Sequence, residues 1–258
     1  MKEGLIVVSF GTAVERARQE EIRPVEEALL SQAPGLYGLT AYTSPTIRRI
    51  LARRGETVLS LEEAIQAQAE AGTQRLYLLP THLLPGWEYD RISAVAAEAR
   101  ERFAQVELAP PLMGDTEFVR LLAQGVAERF PCRPGQAVVL LGHGTDHPGN
   151  LVYPALQCVL HMSGREDMLV GTVEGWPDVD AVLGQLTKRG DSRVLLAPLM
   201  LVAGTHALED MAGPEPDSWK NRLEAAGYTV ETVFQGLGAL PRVQALYRER
   251  LARLLGRG

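Results

Sequence analysis

Three residues able to hold a divalent metal ion each stand just past a short apolar run in the C-terminal part of this 258-residue chain. His143 follows Val138 to Leu141 and sits between Gly142 and Gly144, which let backbone approach a ligand closely. Glu174 ends Leu169 to Val173 and precedes Gly175-Trp176-Pro177, while His206 follows Leu195 to Ala203 and Gly204-Thr205. If those runs are strands, all three side chains project from consecutive strand ends into one crevice. Two imidazoles and a carboxylate suit a borderline divalent ion such as cobalt, iron, nickel or zinc. A lone strand-end histidine would be read as a hydrogen-bonded loop residue, but the convergence of three ligand-type residues favours a metal site.

The other ionisable groups are weaker candidates. His147, in Asp146-His147-Pro148, is followed by a proline that prevents a regular helix, so it does not pair with His143 as a helical ligand. His82, in Pro80-Thr81-His82, ends another strand and is expected to line a cleft, whereas His161 lies in the helical stretch Leu151 to Met162 and reads as structural. Arg48, Arg49, Arg53 and Arg54 form the main basic cluster, on a helix opened by Ser44-Pro45-Thr46. Arg48 and Arg49, in its first turn, are suited to carboxylates or phosphates. No GxxxxGK[ST] or GxGxxG string is present, so no nucleotide is expected, and the absence of Gly-x-Ser-x-Gly disfavours an α/β-hydrolase.

These residues need a scaffold, and the sequence supplies a repetitive one. Eight β-rich runs alternate with helical segments: Leu5 to Phe10, Leu36 to Thr43, Arg75 to Pro80, Val106 to Ala109, Ala137 to Gly142, Met168 to Val173, Arg193 to Pro198 and Val230 to Gln235. Alternation of this kind indicates parallel strands joined by crossover helices. Ser60 with Glu63 three positions on forms a capping box for a helix over Leu61 to Ala71. The strand ends repeat: Phe10-Gly11-Thr12 matches His143-Gly144-Thr145, Pro45 matches Pro177, and Pro80, Gly86 and Glu88 match Pro198, Gly204 and His206. The expectation is an α/β chain of two similar halves, 1–130 and 131–258, each a four-stranded parallel sheet flanked by helices. The joint falls near Pro131 to Gly135, and the last helix, within 241–258, is able to pack back on the first half. Ligands of such folds lie beyond the carboxyl ends of the strands. The repeat also places Glu88 opposite His206.

Composition narrows the function classes. With 26 Lys+Arg against 32 Asp+Glu the net charge is −6, which argues against a nucleic-acid binder. The apolar content of 46% is that of a folded chain. Cys132 and Cys158 form no CxxC pair, so neither a disulfide framework nor a cysteine-rich zinc module is implied. The opening Met1 to Phe10 reads as a buried strand rather than a signal peptide, and no apolar run nears the roughly 20 residues a membrane helix needs. A cytoplasmic protein without nucleic-acid or membrane partners is expected, with homo-oligomerisation left open.

Several strings resemble those of the anaerobic sirohydrochlorin cobaltochelatases, the CbiK-type members of the class II chelatases. They are Val7-Val8-Ser9-Phe10-Gly11-Thr12, Gly142-His143-Gly144, Val173-Glu174 with Pro177, Pro198 to Gly204 followed by His206, Asp210-Met211-Ala212 and Asp217-Ser218-Trp219-Lys220. The resemblance implies two flavodoxin-like halves around a tetrapyrrole cleft, with the metal held by His143, Glu174 and His206 and with His143 as the base taking protons from the macrocycle. It implies insertion of Co2+, as substrate metal, into sirohydrochlorin for cobalamin synthesis, with release of two protons and no ATP. Fe2+ and Ni2+ remain alternatives, as do sirohaem synthesis and a non-catalytic metal or tetrapyrrole carrier. Arg48, Arg49 and Glu88, with the first strand end Ser9, Phe10, Gly11 and Thr12, are the expected substrate-binding residues.

Overall fold

The computed structural model describes residues 1–204 and 208–256. His206 lies outside the described residues. The chain divides into two compact units, Met1–Asp115 with Gly238–Gly258 and Thr116–Leu237.

The first unit is built on a parallel sheet of β1 (Glu3–Ser9), β2 (Tyr37–Tyr42), β3 (Arg75–Pro80) and β4 (Gln105–Leu108), in the order β2-β1-β3-β4. Leu5 to Val8 of β1 are fully buried, as expected of a parallel strand covered on both faces. The first helix, α1 (Glu15–Ala17), continues through a π-helical turn, Arg18–Ile22, into α2 (Arg23–Gln32). In α3 (Pro45–Arg53) the Ser44 hydroxyl accepts from the Ile47 N–H, and Pro45 occupies the first turn, where no donor is missed. The capping box of α4 (Leu61–Glu70) is formed on both sides by Ser60 and Glu63, and α5 (Trp87–Ala99) follows β3.

The second unit opens with α6 (Thr116–Arg129). Its sheet comprises β5 (Gln136–Gly142), β6 (Met168–Thr172), β7 (Arg193–Pro198) and β8 (Thr229–Thr232), in the order β6-β5-β7-β8. A 3-10 turn, Pro148–Leu151, leads into α7 (Val152–Met162); α8 (Val179–Arg189) and α9 (Trp219–Ala225) follow. In α8 the Asp178 carboxylate caps the Ala181 N–H, and Gly190 ends the helix at φ +74°. The two sheets repeat the same strand order, as the matched strand ends require.

Helix faces, not the Pro/Gly-rich linker, set the grouping. Phe118, Val119, Leu122 and Val126 of α6 are buried, α6 packs on α7, and Arg165 donates to the carbonyls of Ala127 (2.7 Å) and Phe130 (2.6 Å). Pro131 to Gly135 therefore falls inside the second unit rather than at a joint at 130/131. The last helix, α10 (Pro241–Leu254), buries Val243, Leu246, Tyr247 and Leu251 and packs on α2 of the first unit. The Tyr247 hydroxyl donates to Thr81 O at 2.6 Å, and Arg250 pairs with Asp115 at 2.7 Å. Among the described residues no helix is long and apolar enough to cross a membrane.

Candidate functional site

His143 and Glu174 come together at the carboxyl ends of neighbouring strands. β5 and β6 pair in register from Val138 opposite Met168 to Gly142 opposite Thr172, and Val173 N donates to Gly142 O (3.0 Å) and Glu174 N to His143 O (2.7 Å). The ladder therefore delivers both residues to the same level. Their side chains approach to 3.9 Å between Nδ1 and Oε2, longer than a hydrogen bond, so the imidazole and the carboxylate are neighbours without being bonded to each other. Both are accessible, with side-chain exposures of 41% and 65%. Nδ1 of His143 also lies 3.0 Å from Gly144 O. Because a carbonyl only accepts, that contact puts the proton of neutral imidazole on Nδ1 and the lone pair on Nε2, the nitrogen able to take a metal or a proton.

The flanking glycines are required by protein atoms rather than by a ligand. A Cβ on Gly142 would stand 2.1 Å from the Tyr153 ring, and one on Gly144, at φ +79°, would stand 1.7 Å from Glu174 O. Tyr153 is buried behind the histidine loop, its hydroxyl accepting from Gly144 N at 3.3 Å, and burial pushes its pKa up to about 12. His147 caps the 3-10 turn by accepting from Gly149 N at 2.9 Å, and His161 meets Met168 O at 2.9 Å. Among the described residues no group of three His, Cys, Asp or Glu side chains is placed to hold a metal; His206, third of the expected set, is not among them.

The candidates in the first unit separate into exposed and internal groups. Phe10 is exposed, but Ser9 and Thr12 are buried: the Ser9 hydroxyl donates to Glu26 Oε1 (3.1 Å), and Thr12 Oγ1 accepts from Val14 N (3.2 Å). Gly11, at φ +94°, leaves room for the Tyr42 ring, which a Cβ would meet at 2.5 Å. Arg49 is exposed, whereas Arg48 is partly buried and paired with Glu63 at 3.0 Å; Arg54 donates to Ala13 O at 2.6 Å. Glu88, in the first turn of α5, has one carboxylate oxygen buried without a hydrogen-bond partner, and so do both ring nitrogens of His82. With nothing to offset desolvation, His82 is lowered to about 4.

Sequence reasoning missed Asn150, Tyr153 and Glu26. Only Tyr153 left a signal, Gly142 on the facing strand, since a glycine there makes room for a large neighbour.

The model of one family, cobalt chelatase (CbiK), matches residues 3–255. A sirohydrochlorin cobaltochelatase of Salmonella typhimurium is 34% identical over 260 residues, covering 99% of this chain and 97% of its own. The sirohydrochlorin cobaltochelatase CbiKC of Nitratidesulfovibrio vulgaris is 32% identical, covering 91% and 84%. Among solved structures, SirB from Bacillus subtilis with Fe3+ superposes with a TM-score of 0.68 at 16% identity, covering 98% of this chain and 96% of that one. CbiX, described as the terminal enzyme of sirohaem biosynthesis in denitrifying bacteria, gives a TM-score of 0.57 at 16% identity, covering 97% and 98%. The fold is thus that of the chelatases, and by its sequence the chain belongs to the cobalt chelatase (CbiK) family.

Proposed function

We propose that this protein is a sirohydrochlorin cobaltochelatase serving cobalamin synthesis, and that His143, Glu174 and His206 receive the Co2+ substrate. The observation that carries the site is the pairing of His143 and Glu174, 3.9 Å apart at adjacent strand ends and open to solvent. Since β7 lies on the other side of β5, the segment that continues to His206 starts from the third of three neighbouring strands. Insertion exchanges one divalent ion for two pyrrole protons, so charge balances without ATP or electron transfer. In this reading the Nε2 lone pair of His143 accepts one of those protons once the ion has moved to the macrocycle, and the other passes to the solvent that reaches the site. An imidazole–carboxylate set that leaves open positions on the metal can deliver an ion rather than store it. Arg49 and, after release from Glu63, Arg48 are the groups assigned to the substrate carboxylates, with the exposed Phe10 offering an apolar contact. Cys132 and Cys158, both exposed and unpaired, agree with a reducing, cytoplasmic setting.

The test is the absorbance change of added sirohydrochlorin with Co2+, followed past one equivalent of enzyme, with Fe2+ and Ni2+ in parallel. Multiple turnovers, abolished by His143→Ala or His206→Ala, are expected. Stoichiometric binding without turnover would make the protein a carrier, and a higher kcat/KM with Fe2+ would make it an iron chelatase.

A further inference from the structure

We propose that Asn150 is a positioning residue that fixes the spacing of His143 and Glu174, an inference that rests on these two receiving the ion. Its side-chain amide joins the loops that carry them. Oδ1 accepts from the N–H of Thr145 at 3.1 Å, and Nδ2 donates to the carbonyl of Trp176 at 2.6 Å. Thr145 stands two residues beyond His143, and Trp176 two residues beyond Glu174. Each end of one planar amide is thus committed to one ligand's loop.

The position of this tie gives it leverage. The backbone ladder between β5 and β6 reaches its last rung at Glu174 N to His143 O. Past that rung both chains turn at glycines, Gly144 at φ +79° and Gly175 at φ +121°. Asn150 joins the two loops again beyond the rung, so each ligand residue is tied by the ladder at its own backbone and by the amide two residues later. A Cβ on Gly175 would itself come within 3.1 Å of Asn150 Oδ1, which shows how tightly the amide sits.

Asn150 is in turn held in place. Its own N–H donates to His147 O at 2.9 Å, and His147 caps the turn through Gly149 N and donates its N–H to Thr145 Oγ1 at 3.1 Å. His147, unassigned by the metal reading, therefore acts by shaping the turn that presents Asn150. The chemistry selects an amide: one contact needs an acceptor and the other a donor. Aspartate would set a carboxylate against the Trp176 carbonyl, and leucine, of similar shape, would make neither bond. Residues that orient metal ligands commonly change affinity by 10- to 100-fold when lost.

The experiment is direct titration of metal-free protein with Co2+, read calorimetrically and by the ligand-field absorption of the bound ion. The proteins are wild type, Asn150→Leu, Asn150→Ala, Glu174→Ala and Glu174→Ala/Asn150→Leu. Either Asn150 variant should bind Co2+ about tenfold or more weakly with an altered ligand-field band, and should leave the KM for sirohydrochlorin within about twofold. In the Glu174→Ala background the Asn150 change should add no more than about twofold, since the amide acts by aligning that carboxylate. Wild-type cobalt affinity in both Asn150 variants overturns the proposal while leaving the metal site standing, and so does an equal loss in the Glu174→Ala background. Wild-type affinity in Glu174→Ala overturns the metal reading and the clamp together. If Asn150→Leu does not fold, Asn150→Ala, which introduces no bulk, decides.

Discussion

The carbonyl oxygen of Glu174 occupies the space in which a side chain on Gly144 would begin: a Cβ there would lie 1.7 Å from it. The histidine loop and the glutamate loop are therefore interlocked through backbone, and the order of the site depends on a missing methyl group. Gly144→Ala must either push the Glu174 carbonyl away or abandon φ +79°. We expect a stability loss of about 2–4 kcal/mol together with loss of cobalt binding. Gly164, at φ +80° with nothing near its Cβ position, supplies the control. Gly164→Ala should cost about 1–2 kcal/mol and leave cobalt binding intact. Equal cobalt affinity in the two variants would show that the interlock does not shape the site.

The two arginines assigned to substrate carboxylates should not contribute equally. Arg49 is exposed, while Arg48 is held by Glu63 at 3.0 Å. Arg49→Ala is expected to raise KM for sirohydrochlorin roughly three- to tenfold with little change in kcat, the effect of losing an exposed charge-assisted contact. Glu63→Gln, which releases Arg48, should lower KM. An unchanged KM in Arg49→Ala at several salt concentrations would return this face to plain solvation.

Legibility in the sequence followed what each signal physically encodes. An apolar run such as Arg75 to Pro80 or Arg193 to Pro198 states both its length and its burial, and these two became β3 and β7 unchanged. The juxtaposition of His143 and Glu174 was readable because adjacent parallel strands deliver their ends side by side. The partner of α6 was not, because an amphipathic face declares that it packs and not on what. Gly142 and Gly144 signalled a close approach correctly, but the approaching atoms are the Tyr153 ring and a backbone carbonyl rather than a ligand. Asn150 left no trace because it recognises backbone groups, which every residue carries.

Ser9 and Glu26 give the first unit a pH-dependent element. Glu26 is 7% exposed, and burial raises its carboxyl from 4.5 to about 7 despite the bond from Ser9 and the opposing pull of Arg23 and Arg18; nearby Glu27 adds to the rise. The Tyr42 phenol beside it is raised as well, chiefly by burial and partly by Glu26. A carboxyl with a higher pKa folded than unfolded favours the protonated fold. Its contribution is complete below about 4.5 and is lost as pH rises through about 7. Glu26→Gln keeps an oxygen for the Ser9 hydroxyl and carries no charge. It should therefore be more stable than wild type above pH 8, by up to roughly 3 kcal/mol, and nearly equal to it at pH 4. Denaturation curves whose difference does not change with pH would refute the shift.

His82 is the mirror case, on the acid side. Both ring nitrogens are buried without partners, and desolvation alone lowers the imidazole from 6.5 to about 4. The folded protein favours the neutral ring, so its contribution to stability is complete above about 6.5 and is lost as pH falls through about 4. No hydrogen bond is sacrificed when the ring is replaced, which makes His82→Leu a clean probe. That variant should lose up to roughly 3 kcal/mol less stability than wild type between pH 7 and pH 4, and its unfolding should take up about one proton fewer near pH 5. Because His82 remains neutral at pH 5 and above, any fall in kcat/KM between pH 7 and pH 5 must come from another group and should persist in His82→Leu. The direct check is the imidazole carbon-proton resonance of His82 in the folded protein: a midpoint between 6 and 7 would show that water reaches the ring, and both expectations would fall with it.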